Sequence, residues 1–201
     1  MKVDKTWKSL KRIANGDYVL EGDLISEDTL EIDLDDRLVV RGLVISKKEI
    51  TSRCGIKAGG SIKASCGIDA GCSIKAGYDI EAGGSIKASH GIEAGGSIKT
   101  SYSIEAGCGI KACYGIKAGW DIEAGESIEA GWGIKAGYGI KAGWDIEAGE
   151  GIEAGDFISA EKRLFAGISV RHTSENCKKT IRCAELRKGE ICYGDLVIAK
   201  E

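Results

Sequence analysis

Residues 56–64, Ile-Lys-Ala-Gly-Gly-Ser-Ile-Lys-Ala, open a pattern that runs on to Ala160. Isoleucine returns every sixth residue from Ile56 to Ile158. Alanine follows two places later in every repeat but one, where Thr100 stands, and the next position is glycine in most repeats. A period of six matches neither the 3.6 residues of a helical turn nor the simple alternation of a long strand. Inside the unit, isoleucine and alanine are two apart. In an extended chain they share one face, and the Lys, Glu or Asp between them points the other way. Glycine then gives the backbone freedom to turn a corner. Three-residue strands separated by corners make an all-β fold, a parallel β-solenoid (β-helix) of hexapeptide repeats. Each coil pairs with the coils above and below, and the isoleucines form an interior ladder. A buried isoleucine is worth about 2–3 kcal/mol, so the eighteen in frame sustain a core despite the short strands. The chain has no proline, as expected where every coil donates N–H groups to its neighbours.

Two coil lengths are compatible with this unit. The non-glycine corner residues Ser65, Ser89, Ser101 and Cys113 fall on a twelve-residue spacing, which favours two-sided coils. Charge favours three sides. Twelve-residue coils would stack Lys63, Lys75, Lys87, Lys99 and Lys111 at about 4.8 Å intervals, and like charges placed opposite one another destabilise. Eighteen-residue coils split that column into Lys57-Lys75-Glu93-Lys111-Glu129-Glu147, Lys63-Glu81-Lys99-Lys117-Lys135-Glu153 and Asp69-Lys87-Glu105-Glu123-Lys141. The three-sided coil is therefore preferred, with the twelve-residue coil as the alternative.

Outside the regular stretch, counting back in sixes from Ile56 gives Ile50, Val44, Leu38 and Ile32, with Ser52, Ser46, Val40 and Leu34 as their inward partners. The solenoid is thus expected to span residues 30–170, capped at both ends. Residues 1–29 form the N-terminal cap. Within it, 4–14 read as a short amphipathic helix with Trp7, Leu10 and Ile13 on one side and Lys5, Lys8, Lys11 and Arg12 around it. Such a helix shields the open first coil or touches a membrane surface through Trp7, Leu10 and Ile13. The seven carboxylates between Asp23 and Asp36 read as a solvated rim. Residues 171–201 lose the glycine corners, turn basic, and are expected to close the far end with a few strands at Ile181, Leu186, Ile191, Leu196 and Ile198.

With 28 basic and 31 acidic residues the net charge is −3, so no global field points to nucleic acid, and nucleic acid is not an expected partner. The sequence shows no signal-peptide core and no apolar run of membrane-spanning length. The eight cysteines therefore read as reduced thiols of a cytoplasmic protein.

Little in the sequence carries chemistry. His90 and His172 are the only histidines, and no nucleophile elbow, phosphate loop or paired-cysteine zinc signature is present. Neither catalysis, nor a cofactor, nor a small-molecule substrate is expected. Cys54, Cys72, His90 and Cys108 would share one corner on four successive eighteen-residue coils. This makes Cys72, His90 and Cys108 the candidate soft-metal ligands, although coil spacing is wide for one tetrahedral ion. Cys177, Cys183 and Cys192 with His172 form a looser second set. The outward aromatics carry more weight. The position two before each isoleucine accepts Trp, Tyr, Glu, Asp, His and Gly, so it faces solvent. It displays Tyr102, Tyr114, Trp120, Trp132, Tyr138 and Trp144 outward, and of these Tyr102, Trp120, Trp132, Tyr138 and Trp144 are the candidate protein-interaction residues. On a three-sided coil, Tyr102, Trp120 and Tyr138 stack along one edge.

Left-handed β-helix acyltransferases place the small interior residue four after the aliphatic one rather than two, and that family is disfavoured. The rhythm of Gly60-Ser61-Ile62-Lys63-Ala64 and Trp144-Asp145-Ile146-Glu147-Ala148 resembles bactofilins, the polymer-forming bacterial cytoskeletal proteins. Over roughly residues 30–166, that resemblance implies a three-sided parallel β-helix, no nucleotide, head-to-tail filaments and, in some members, an N-terminal membrane contact. The expected function is a non-enzymatic structural scaffold that self-associates or organises other proteins. The alternative is a soluble protein-binding inhibitor or interaction module, for example from a mobile element, that uses the outward aromatic edge.

Overall fold

A computed structural model describes residues 1–167 and 179–199. Its strands are β1 (Lys2–Asp4), β2 (Leu10–Arg12), β3 (Tyr18–Leu20), β4 (Leu24–Ser26) and β5 (Leu30–Asp33), then twenty three-residue strands from β6 (Leu38–Val40) to β25 (Ile152–Ala154). β26 (Phe157–Ala166), β27 (Thr180–Cys183), β28 (Glu185–Tyr193) and β29 (Asp195–Ile198) follow. No helix occurs among the described residues.

The strands wind into a three-sided parallel β-solenoid. Every third strand pairs in register: Ile56 lies beside Ile74, Ile74 beside Ile92 and Ile92 beside Ile110. The coil is therefore eighteen residues, and the twelve-residue alternative is excluded. Face I carries β3, β6, β9 and onward; face II starts at β4 and face III at β5. Face II is a ten-stranded sheet from β4 to β29, while β26 and β28 bend around a corner and join faces I and III. Each framed isoleucine donates its N–H upward and the corner residue three places later donates downward: Ile104 to the Asp121 carbonyl (2.9 Å) and Gly107 to the Ala88 carbonyl (3.0 Å). The isoleucines are buried throughout, and the alanines pack beside them. Thr100, the exception, buries its hydroxyl by donating it to the Gly84 carbonyl.

The corner glycines have a different cause from the one expected. None of those between Gly42 and Gly155 has a positive φ, so none is needed for a conformation forbidden to other residues. What constrains them is the coil below. A Cβ on Gly107 would lie 2.0 Å from the Ser89 carbonyl oxygen, and one on Gly77 would lie 2.0 Å from that of Gly59.

Both ends depart from the expectations. Residues 4–14 form no helix. Val3 is buried, Trp7 and Leu10 pack against the core, and Ile13 is exposed. Trp7, Leu10 and Ile13 therefore share no helix face, and of the three only Ile13 is exposed. The basic residues there are engaged by the acidic rim: Lys2 with Asp33 (2.9 Å), Lys5 with Asp35 (2.8 Å) and Arg12 with Asp36 (2.8 Å). Two of the cationic side chains that suggested a helix face, Lys5 and Arg12, are instead clamps on the first coil. The solenoid also starts at Tyr18 rather than near residue 30, because Tyr18 pairs with Leu38, Leu24 with Val44 and Leu30 with Ile50. The first coil is twenty residues, which puts Leu30 in the isoleucine position and Ile32 in the alanine position, two residues off the frame counted back from Ile56.

At the other end the coils resume: Ile181 pairs with Ile152, Leu186 with Ile158, Ile191 with Leu164 and Leu196 with Ile181. Within residues 171–201, the part that is described continues the winding instead of capping it. Residues 168–178 and 200–201, which include Val170, His172 and Cys177, lie outside the described residues.

Candidate interaction surface

The outward side chains are placed by two regularities. The middle residue of each strand forms a column on a flat face, and the residue two before each isoleucine forms a column on a corner. The three charge columns run as the sequence predicts, and most of their alternations close as ion pairs between successive coils. These are Lys63–Glu81 (2.8 Å), Lys75–Glu93 (2.6 Å), Lys87–Glu105 (3.0 Å), Lys111–Glu129 (2.5 Å), Lys135–Glu153 (2.9 Å) and Lys141–Glu123 (2.6 Å). All are half-exposed and individually worth little. On face II three lysines follow one another, Lys99 beside Lys117 and Lys117 beside Lys135.

The aromatics do not occupy a single edge. Corner hydrogen bonds from Trp120 N–H to the Tyr102 carbonyl (3.2 Å) and from Tyr138 N–H to the Trp120 carbonyl (3.0 Å) place these three on the corner between faces II and III. Trp132 is elsewhere. Its N–H donates to the Tyr114 carbonyl (3.2 Å) on the corner between faces I and II. Trp144 sits on the third corner, with the Lys162 ammonium 4.7 Å from its ring centre. Rings meet in tilted pairs, Tyr102 with Trp120 (centroids 5.5 Å apart) and Tyr114 with Trp132 (4.8 Å). Such pairs add about 0.5–1.5 kcal/mol beyond burial, yet every one of these rings stays about half exposed. The chain thus has two aromatic edges that border the same face. Tyr114 belongs to this surface although the candidate set lacks it, and so do Lys99 and Lys117. The signal that reveals them is the eighteen-residue spacing, which assigns each aromatic to its corner and each lysine to the face between.

The proposed metal column is present as a column. His90 N–H donates to the Cys72 carbonyl (3.4 Å) and Cys108 N–H to the His90 carbonyl (3.2 Å). Among the described residues no three His, Cys, Asp or Glu side chains converge as a metal ion requires, so Cys72, His90 and Cys108 are stacked without forming a cage. Burial, and then the neighbouring Cys72 thiol, push the Cys54 thiol upward and favour its protonated form. In the second set, Cys183 is buried, which raises its pKa, and Cys192 is exposed; Cys177 and His172 fall outside the described residues. Concavities such as the one lined by Lys87, Glu105, Glu123 and Lys141 are channels on a flat face open to solvent. No helix of the described residues is long and apolar enough to cross a membrane.

Fold and surface together define a parallel three-sided β-solenoid with charged faces and aromatic corners. No protein-family model matches the chain, and comparison with curated proteins and with solved structures finds no similar protein.

Proposed function

We propose that this protein is a non-enzymatic structural scaffold of the cytoplasm whose rod joins end to end with further copies of itself. The observation that carries this reading is the state of face II at its two ends. At the N-terminal end, β2 lies antiparallel under β3 and β1 lies under β5, whereas β4 has no strand beneath it among the described residues. At the other end, β29 is the outermost strand of that same face among the described residues and pairs there with β27. Asp195 and Ala199 donate their N–H groups inward to the Lys179 and Cys183 carbonyls. By alternation, the N–H groups of Leu196 and Ile198 point to the free edge. Both edges are apolar, with Ile25, Leu196, Val197 and Ile198 each more than 40% exposed.

An unprotected apolar edge is a template for another chain. β29 closes the last coil level with β28 on the other two faces, and its free edge can pair, with strand direction preserved, with the uncovered β4 of the next copy. The resemblance of the repeat rhythm to bactofilins agrees with this reading, and so do the exposed free thiols Cys66, Cys113 and Cys192, which suit a reducing compartment. Electron microscopy and light scattering of the purified protein are expected to show filaments or defined oligomers. Ile198→Pro removes an edge donor that makes no internal bond and should return the protein to monomer with its strand content intact. A wild-type chain that stays monomeric at high concentration would refute the reading. The exposed Tyr102–Trp120 and Tyr114–Trp132 pairs favour a second reading, an interaction module acting through its sides.

A further inference from the structure

We infer that face II, between its two aromatic edges, binds single-stranded nucleic acid, with bases on the rings and phosphates on the lysines. Successive coils repeat one arrangement across this face. Tyr114, Lys117 and Trp120 cross it on one coil, Trp132, Lys135 and Tyr138 on the next, and Lys99 and Tyr102 on the coil before. Lys99, Lys117 and Lys135 form the longest like-charge run in the three outward columns. They are held at about 4.8 Å intervals, where like charges repel. Lys135 has Glu153 to pair with (2.9 Å), but no acidic group lies within ion-pair distance of Lys99 or Lys117 among the described residues. An anionic chain laid along the face relieves that repulsion.

Size and chemistry select the occupant. Three coils extend about 10 Å along the axis, and the six residue steps from Trp132 to Tyr138 span at most about 20 Å. The patch is therefore a few times smaller than the roughly 800 Å² per partner of a standard protein interface, and it suits a linear strand. The main-chain groups of the face are spent on the coils above and below. The surface thus offers π faces and ammonium groups and no partners for a peptide backbone. That pairing is what sequence-independent single-strand binding uses. The net charge of −3 argues against nucleic acid only at long range, since charges more than about 8 Å away are largely screened at physiological salt. The next coil, with Glu150, Glu153 and Asp156, bounds the site on one side.

The inference is independent of self-association and is tested by fluorescence anisotropy of a labelled short oligothymidylate. Saturable binding is expected. It should weaken about tenfold when salt rises from about 50 to about 200 mM, as contact with two or three phosphates requires. Lys99→Glu with Lys117→Glu should abolish it, and Trp120→Ala with Trp132→Ala should weaken it at least about tenfold. The charge-matched pair Lys75→Glu with Lys87→Glu should leave it unchanged; circular dichroism verifies the strand content of each variant. Absence of binding, equal losses from both lysine pairs, or equal binding of a polyglutamate peptide or a sulfated polysaccharide would overturn the inference.

Discussion

From Ile56 to Ala166 each coil repeats the one below it in register, whereas the first coil carries two extra residues and the last coils abandon the count. The two regions keep the same inward ladder by different means. In the body a column of buried isoleucines and a backbone close-packed at the corners hold the register, and surface ion pairs add little. At the N-terminal end the inward residues are mixed Leu, Val and Ile, and the closing segment is fastened from outside by Lys2, Lys5 and Arg12 on Asp33, Asp35 and Asp36. Near the ends glycine has its usual conformational role, with φ of 94° at Gly16, 84° at Gly22, 126° at Gly189 and 117° at Gly194. In the body it serves only to let two backbones approach. Repetition thus supplies stability through packing, and irregular coils need local chemistry in its place.

The sharpest way to break this contrast is to cut equivalent side chains in the two regions. Ile104 is fully buried and Leu196 is 42% exposed, although both occupy the inward position. Ile104→Ala should cost about 2–5 kcal/mol, and Leu196→Ala well under half of that, as read from urea unfolding midpoints; equal costs would mean that the end is as tightly packed as the body. Next in size, Gly107→Ala forces a methyl against the Ser89 carbonyl and should cost about 1–3 kcal/mol. Gly22→Ala meets nothing within 4 Å and is opposed only by its φ, at about 1–2 kcal/mol. Smallest is the acid response of the N-terminal clamp. Hydrogen bonds from the Lys5 ammonium and then the Tyr18 hydroxyl hold the Asp35 carboxyl down at about 2, and Arg37 holds Asp17 below its usual range. Both groups are depressed in the fold, so their contribution is complete above about pH 4 and is lost as pH falls toward 2. Trp7 fluorescence should report loosening of this segment in that window, while the strand signal of the body persists.

The body was legible because its signals are redundant. The six-residue period names the inward positions, and repulsion in the Lys63-to-Lys111 column chooses eighteen over twelve. The ends were not legible because a two-residue insertion leaves no mark in composition. Ile32 and Leu34 look like an isoleucine–alanine pair, and only pairing with Ile50 and Ser52 shows that Leu30 and Ile32 fill those places. The stretch around Trp7 misled for a related reason. Trp7, Leu10 and Ile13 sit at helical spacing, but their segment is fixed by Val3 in the core and by carboxylates more than twenty residues away, which no local pattern contains. The aromatic surface was read in part. The slot itself was clear, yet sorting its occupants onto corners requires the coil length. With eighteen residues per coil Tyr102, Trp120 and Tyr138 fall on one edge, as found, while the slot by itself gives Trp132 and Trp144 no corner of their own.

Uniform register has a consequence for how this chain varies in length. Because Ile92 stands above Ile74 and below Ile110 in identical surroundings, excising or duplicating one whole turn of eighteen residues rejoins like with like. The rod then shortens or grows by a single quantum of about 4.8 Å. An indel of six keeps isoleucine inward but moves the outward charges and aromatics to other faces and corners, and other lengths have to be absorbed at a corner, as the two extra residues of the first coil are. Such a molecule behaves as a graduated ruler, and its reach can be reset by unequal recombination between near-identical repeats without redesigning its interior.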